Sequence, residues 1–342
     1  MSSNNLSEIM VDVENLNVYF GDNQVIYDVS FQVKSGEIIG MFGISGAGKT
    51  TIVRVLTCQI NKKHWKGNVK VTNLSPARKK SHAKILSNIG YVPQLEELNL
   101  YYELSAMANI ETFASTYGIG KKKAKKIATD LFSILDIPED TWKKPLKKMS
   151  GGEKKRVSVA IGLIHQPSIL FLDEPTTGVD AAKRYDVLSY LKKLNQQLGT
   201  TMFLITHDME AALICDKSAI LRDGKMLEFD MNDNLISTLP SDGLLARLTI
   251  EDLNEKKINI IKEFAPVQKV IRVGNEVVEV FMEDFQNNLK KLIQYTMDKD
   301  LKVTSMSKDN AAFRRYFQIR IQDEEEKERA LRESSEFLTS EI

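Results

Sequence analysis

Gly43-Ile44-Ser45-Gly46-Ala47-Gly48-Lys49-Thr50 decides the reading of this chain. The pattern is G-x-x-x-x-G-K-[ST], a phosphate loop. Its glycines let the backbone turn so that several N–H groups point at one anion, and the helix that follows adds its positive N-terminal end. Lys49 is placed to reach the β- and γ-phosphates of a nucleotide, and the Thr50 hydroxyl to ligate Mg²⁺. Chance alone produces the bare pattern in about one chain in a hundred of this size, with glycine at about 7% of residues. Context lowers that further. Glu37 to Phe42 is a short apolar run that reads as a buried strand, and Ile52, Val53, Val55 and Leu56, just past Thr51, suit a helix.

On the N-terminal side, Val11 to Phe20 and Val25 to Val33 are β-rich runs separated by Gly21-Asp22-Asn23, the pattern of a hairpin. On the C-terminal side, residues 96–165 are helix-rich, and in Lys121 to Ile137 the residues Ile127, Leu131, Ile134 and Leu135 recur at helical spacing. The lysines at 121–123, 125 and 126 read as a solvated helix face. Ile169 to Leu172 and Met202 to Ile205 are continuously apolar, as in parallel strands buried on both faces. Asp223-Gly224 reads as a second hairpin turn. Beyond residue 232 the character changes. Lys269 to Val273 and Glu276 to Met282 read as strands joined at Gly274-Asn275. Asp284 is a candidate cap for a helix with Phe285, Leu289, Leu292 and Ile293 on one face, and Leu301 to Met306 reads as another strand. The expected organisation is a flexible tail (1–9), a nucleotide-binding α/β domain (10–232), a linker (233–264), a small α+β accessory domain (265–322) and a charged tail (323–342).

Composition bounds the function. The chain has 342 residues, enough for about two domains, and a net charge of +1, which gives no global reason to expect nucleic acid as a partner. Its two cysteines, Cys58 and Cys215, sit in no CxxC or Cys/His cluster, which disfavours zinc and suits a reducing compartment. No apolar run approaches the roughly 20 residues that span a bilayer, and the polar start lacks a signal-peptide core. The expectation is a cytoplasmic protein, with any membrane spans supplied by another polypeptide.

Met149-Ser150-Gly151-Gly152-Glu153-Lys154-Lys155-Arg156, followed by Ile169-Leu170-Phe171-Leu172-Asp173-Glu174-Pro175, narrows this. Asp173 and Glu174 end a buried strand, so two acids stand at the edge of the sheet where α/β ligands bind. Asp173 can hold Mg²⁺ through water, and Glu174 is placed to take a proton from an attacking water. Ser150-Gly151-Gly152 opens a helix, either as an ordinary N-cap or as an anion cradle. Here the sequence resembles the ABC ATPase family over about residues 11–232. Ser150 to Glu153 is similar to its signature motif, with Glu153 in place of the commoner Gln. Leu172 to Glu174 is similar to its Walker B end, and Thr177-Gly178-Val179-Asp180 to its D-loop. The resemblance implies a P-loop NTPase fold of ABC type, with an antiparallel β subdomain and a helical subdomain. It implies ATP and Mg²⁺ bound by the loop, including the Ile44, Ser45, Ala47 and Thr51 positions, with Gln94 and Asp173 beside Thr50 at the metal. It implies Glu174 and His207 as catalytic residues, and Ser150-Gly151-Gly152 on the γ-phosphate held by a second subunit. Phe20 falls where the family stacks an aromatic on adenine, and by its residue type reads equally as core.

The family implies a transporter motor, a soluble ATPase on ribosomes or DNA, or a non-transporting scaffold. The undivided spacing from Gly43 to Ser150 and the near-zero charge favour the motor, with an integral-membrane permease and a second ATPase subunit as partners and no nucleic acid. Lys154 to Ser158, and a C-terminal unit that resembles the small domain of drug-export ATPases, point to the exporter branch. Importers with C-terminal regulatory domains are the alternative. The region Leu98 to Met107, with Tyr101 and Tyr102, is the expected permease contact or, equally, helical-subdomain core.

Overall fold

The computed structural model describes residues 8–95, 98–179 and 181–340, which divide into two compact units, Met1–Asp230 and Met231–Ile342. In the first, β1 (Ile9–Phe20) and β2 (Asn23–Lys34) form the expected antiparallel hairpin, with Phe20 opposite Asn23 across Gly21-Asp22. The strand starts inside the stretch expected as a tail, because Ile9 already pairs with Lys34; residues 1–7 of that tail lie outside the described residues. Val11, Val13, Leu16 and Val18 are buried, and the parity changes at Asn15, whose φ of 51° and the register shift around it mark a bulge that keeps both halves facing one core.

β3 (Ile38–Phe42) is buried along its whole length and leads through the loop into α1 (Lys49–Leu56). β4 (Trp65–Val71) pairs with β1, completing a three-stranded antiparallel sheet. Then follow α2 (Lys79–Leu86), β5 (Ile89–Val92), and three helices, α3 (Ala106–Thr116), α4 (Lys121–Ile134) and α5 (Gly151–Leu163). In α4 the buried face is Ala124, Ala128, Leu131 and Phe132, whereas Ile127 and Ile134, expected inside, are only half-buried. Alanines rather than isoleucines face the neighbouring helices and permit close approach. The five lysines of α4 are exposed, as expected.

β6 (Ile169–Asp173), α6 (Ala181–Leu198), β7 (Thr201–Thr206), β8 (Lys217–Arg222) and β9 (Lys225–Asp230) complete the unit. The central sheet has the order β5-β6-β7-β3-β8-β9. Its first five strands are parallel, and β9 returns antiparallel through the Asp223-Gly224 turn. Parallel strands end on one edge, so the segments after β3, β5, β6 and β7 converge there.

The second unit corrects the expected linker. Residues 233–264 contain most of α7 (Asn232–Ser237), all of β10 (Leu244–Ile250) and all of α8 (Glu255–Lys262). β10 is an inner strand: with β11 (Val267–Arg272), β12 (Val277–Met282) and β13 (Val303–Asn310) it makes an antiparallel sheet of order β11-β12-β10-β13, with α9 (Phe285–Asp298) between β12 and β13. The chain order β-α-β-β-α-β is that of a ferredoxin-like fold. Ala246, Leu248 and Ile250 of β10 join Val278, Val280, Phe285 and Leu292 in one core, so half of the buried residues of this core lie in the segment expected as a linker. Asp284 stands at the start of α9, but its side chain does not cap it. Asp284 has φ 42° and its carboxylate accepts from the Asn287 amide, while Ser241 Oγ accepts the Phe285 N–H at 3.1 Å. Residues 323–340 of the segment expected as a charged tail belong to α10 (Phe313–Ser340), and residues 341–342 lie outside the described residues. No helix among the described residues is long and apolar enough to cross a membrane.

Candidate functional site

The loop between β3 and α1 is shaped by glycines that nothing else replaces. Gly48 has φ 99°, and a Cβ there would lie 2.4 Å from Ile26 Cδ1; at Gly43 it would lie 2.4 Å from the Leu221 carbonyl oxygen. Ile44, Ser45 and Gly46 are exposed, Ala47 is buried under them, and the Ala47 carbonyl accepts the Gly224 N–H at 3.2 Å, which ties the loop to the β8–β9 turn. Lys49 Nζ donates to the Gly43 and Ile44 carbonyls at 2.6 and 3.0 Å. The ammonium is thus held inside the curve of the loop. Burial lowers its pKa, against the opposing charges of Glu174 and Asp173. The first-turn N–H groups of α1, from Lys49, Thr50 and Thr51, have no intrahelical acceptor and face the loop end of the helix.

The two acids end β6. Asp173 Oδ2 accepts from the Tyr91 hydroxyl at 2.9 Å. Burial pushes the Asp173 pKa above the ordinary value, and the Tyr91 hydrogen bond, Lys49 and Lys155 oppose that rise. Burial and the adjacent Asp173 push the Tyr91 hydroxyl upward as well, so it stays a donor. Glu174 has φ 47°, and its N–H donates to the Ile205 carbonyl at 2.8 Å. Its carboxylate is gripped from three sides: Thr206 and Thr177 hydroxyls donate to Oε2 at 2.9 and 3.1 Å, and His207 Nδ1 lies 2.8 Å from Oε1. An ionised carboxylate only accepts, so His207 donates through Nδ1. Asp208 extends the network, accepting from Thr176 Oγ1 at 2.9 Å.

The structure therefore gathers Lys49, Asp173, Glu174 and His207 at one sheet edge. Gln94 follows β5 with an exposed side chain, and its carbonyl accepts from Lys155 Nζ at 3.4 Å. Ser150, Gly151 and Gly152 are joined to the loop by no hydrogen bond among the described residues. Ser150 caps α5 in a reciprocal box: its Oγ accepts the Glu153 N–H at 3.3 Å, and Glu153 Oε2 accepts the Ser150 N–H at 2.7 Å. A Cβ at Gly151 or Gly152 would meet nothing within 4 Å, so this helix start stands open. Phe20 is 46% exposed, with its ring 6.0 Å from that of His64, which removes the core reading of this residue. Asp180 lies outside the described residues.

A family model described as "ABC transporter" matches residues 26–177. The chain is 32% identical over 262 residues to the linearmycin resistance ATP-binding protein LnrL of Bacillus subtilis (strain 168), covering 76% of this chain and 81% of that protein. The chain belongs to the ABC transporter family. It is an ATP-hydrolysing, nucleotide-binding motor subunit with the P-loop fold of that family. It is also 32% identical over 222 residues to the methionine import ATP-binding protein MetN of Clostridioides difficile (strain 630), covering 64% of this chain and 68% of that one. Among solved structures, a dimeric post-hydrolysis state of the ATP-binding cassette MJ0796 bound to ADP and Pi aligns with TM-score 0.56 and 26% identity, over 65% of this chain and 98% of that chain.

Several residues of this ABC ATPase site were not singled out by its sequence. Thr177 stands in the D-loop quoted above, and Tyr91 and Thr206 lie beside Gln94 and His207 in the sequence. Thr206 alone carries a signal of its own, a hydroxyl closing the apolar run Met202 to Ile205. Lys155, 2% exposed, is a buried cation whose charge offsets the rise at Asp173. His82 and His165 each bond a backbone carbonyl, those of Pro76 and Ile89, at 2.8 and 2.9 Å.

Proposed function

We propose that this subunit drives an exporter: two copies, or this chain and a related ATPase, close around two ATP molecules and move a separate membrane permease. The observation that carries the mechanism is the convergence of the loop lysine, the two β6 carboxylates and His207 at one sheet edge. The Lys49 ammonium and the loop N–H groups bind the β- and γ-phosphates. The hydroxyl and carboxylate oxygens present fit a hard cation such as a nucleotide-bound Mg²⁺. Thr50, Asp173 and Gln94 would hold it, and when bound it would neutralise charge on the phosphates. Glu174 accepts a proton from water as the water oxygen bonds to the γ-phosphorus and the bridging β–γ oxygen leaves with ADP. His207 steadies the Glu174 carboxylate, Phe20 supports the adenine, and the open Ser150-Gly151-Gly152 turn of one subunit meets the γ-phosphate on the other. The dimeric MJ0796 structure supports this pairing.

The permease contact falls around Leu98 to Met107, on the cytoplasmic face of the membrane. Leu98 is 72% and Tyr101 54% exposed, which favours docking over core at these two positions. Beside them is a cleft of about 470 Å³ lined by Leu86, Tyr91, Asn99, Tyr117 and His165, in which Asn99 Nδ2 and His165 Nδ1 have no hydrogen-bond partner among the described residues. The likeness to LnrL, a resistance protein by name, supports export. The likeness to MetN, together with a folded C-terminal domain, supports import as the second reading. Copurification of the tagged chain with its permease, followed by reconstitution into vesicles, separates them. ATP added to the side that bears this subunit expels the substrate in the first case. Substrate uptake that needs a solute-binding protein establishes the second.

A further inference from the structure

A cleft of about 590 Å³ in the C-terminal unit is lined by four guanidinium groups, of Arg247, Arg272, Arg314 and Arg315, and two carboxylates, of Glu279 and Asp309. That volume lies in the range of about 300–1,000 Å³ usual for small-ligand sites. The carboxylates are taken up within the protein. Arg247 holds Glu279 at 2.9 Å and Asp309 at 3.2 Å, and Arg315 Nε lies 2.6 Å from the other oxygen of Glu279, whose side chain is only 4% exposed. Neutralising a buried Glu279 explains Arg247 and Arg315. It does not explain the remaining pair. Arg272 is fixed by three backbone carbonyls, those of Gly274, Leu253 and Asn275, at 3.0, 3.2 and 2.9 Å, so it is held in place with no carboxylate against its charge among the described residues. Arg314 makes no hydrogen bond or ion pair among the described residues. Two exposed positive charges, Arg272 held in place and Arg314 unheld, are left uncompensated among the described residues.

We propose that this cleft binds a ligand through a dianionic phosphate group. A phosphate monoester matches the excess charge, and guanidinium forks suit its oxygens better than they suit a neutral ligand. The phosphate belongs either to a soluble phosphorylated molecule or to a lipid headgroup, and the test separates these sources. The full-length chain carrying Lys49→Ala, which silences the phosphate loop, is dialysed to equilibrium against labelled inorganic phosphate at constant ionic strength. In parallel it is sedimented with phosphatidic acid or phosphatidylcholine vesicles. The expected result is saturable phosphate binding that weakens about tenfold or more in Arg314→Gln and further in Arg272→Gln/Arg314→Gln. Lys290→Gln, an exposed charge outside the cleft, leaves it unchanged. Arg314→Gln breaks no internal bond, so its loss of binding is not a folding defect, and circular dichroism checks the double variant. Binding of phosphatidic acid vesicles without binding of inorganic phosphate assigns the lipid source. Binding of neither, or binding equal in the arginine variants, overturns the proposal. ATPase activity of the arginine variants in the wild-type loop background stays at the basal rate, so this outcome is separate from that of the nucleotide site.

Discussion

Glu174 shows how much of the site depends on individual side chains. Two threonine hydroxyls fix one of its oxygens and His207 the other, so the carboxylate is oriented before any substrate arrives. Glu174→Gln keeps the shape but loses the base. Phosphate release is expected to fall about 10²–10⁴-fold while a fluorescent ATP analogue still binds; full turnover in this variant would remove Glu174 from its proposed role. Asp173 is a second case, with a pH signature. Burial raises its pKa, so between the ordinary aspartate value of about 3.9 and the raised one the native state holds more protons than the unfolded chain. Its contribution is fully present below the unfolded value and is lost as pH rises through the folded value. Asp173→Asn is therefore expected to melt at a higher temperature than wild type at neutral pH, in chelator and without nucleotide, with the gap closing as pH falls toward 3.9. A gap independent of pH would show that ionisation of Asp173 is not its cause.

At the scale of elements, the start of α5 serves two demands with one set of residues. The capping box stabilises the helix, and the small exposed residues after Ser150 leave room for an anion. The two roles separate by substitution. Ser150→Ala removes the cap, at a cost of about 1 kcal/mol. Ser150→Asp retains a good cap but places a negative charge where the γ-phosphate is proposed to bind. Its melting temperature is expected to match wild type, while ATP-driven dimerisation, read by light scattering in the Glu174→Gln background, is lost. Equal dimerisation of Ser150→Asp and the parent chain would leave Ser150 as a cap alone. The box also accounts for Glu153, because Glu and Gln both return a side-chain oxygen to the N-cap N–H.

At the scale of the whole molecule, the two units have separate cores. The buried cluster around β1–β4 and the central sheet shares no residue with the cluster around β10, β12 and α9. Residues 231–342 are therefore expected to fold alone, giving a cooperative thermal transition by circular dichroism. A chain begun at 265, the boundary expected from sequence, lacks the inner strand β10 and is expected to give none. Equal cooperativity of the two fragments would mean that β10 is dispensable.

The amino-acid sequence by itself determined the P-loop fold and the hairpins at Gly21-Asp22 and Asp223-Gly224, and it supplied the residues proposed for the nucleotide, because phosphate binding needs particular residue types at short, fixed spacings. It left Asn254, which caps α8, and the β10 run Leu244-Leu245-Ala246-Arg247-Leu248, which does not alternate cleanly, unread. β10 is recognisable only once both its partners, β12 and β13, lie beside it. The tertiary structure alone decided that Thr206 holds Glu174, that Tyr91 donates to Asp173, that Phe20 is exposed, and that four arginines from three segments share one cleft. Thr206 and Glu174, Tyr91 and Asp173, and the arginines of β10, β11 and α10 are far apart in the chain, and folding, not local spacing, brings them within hydrogen-bonding or Coulombic range.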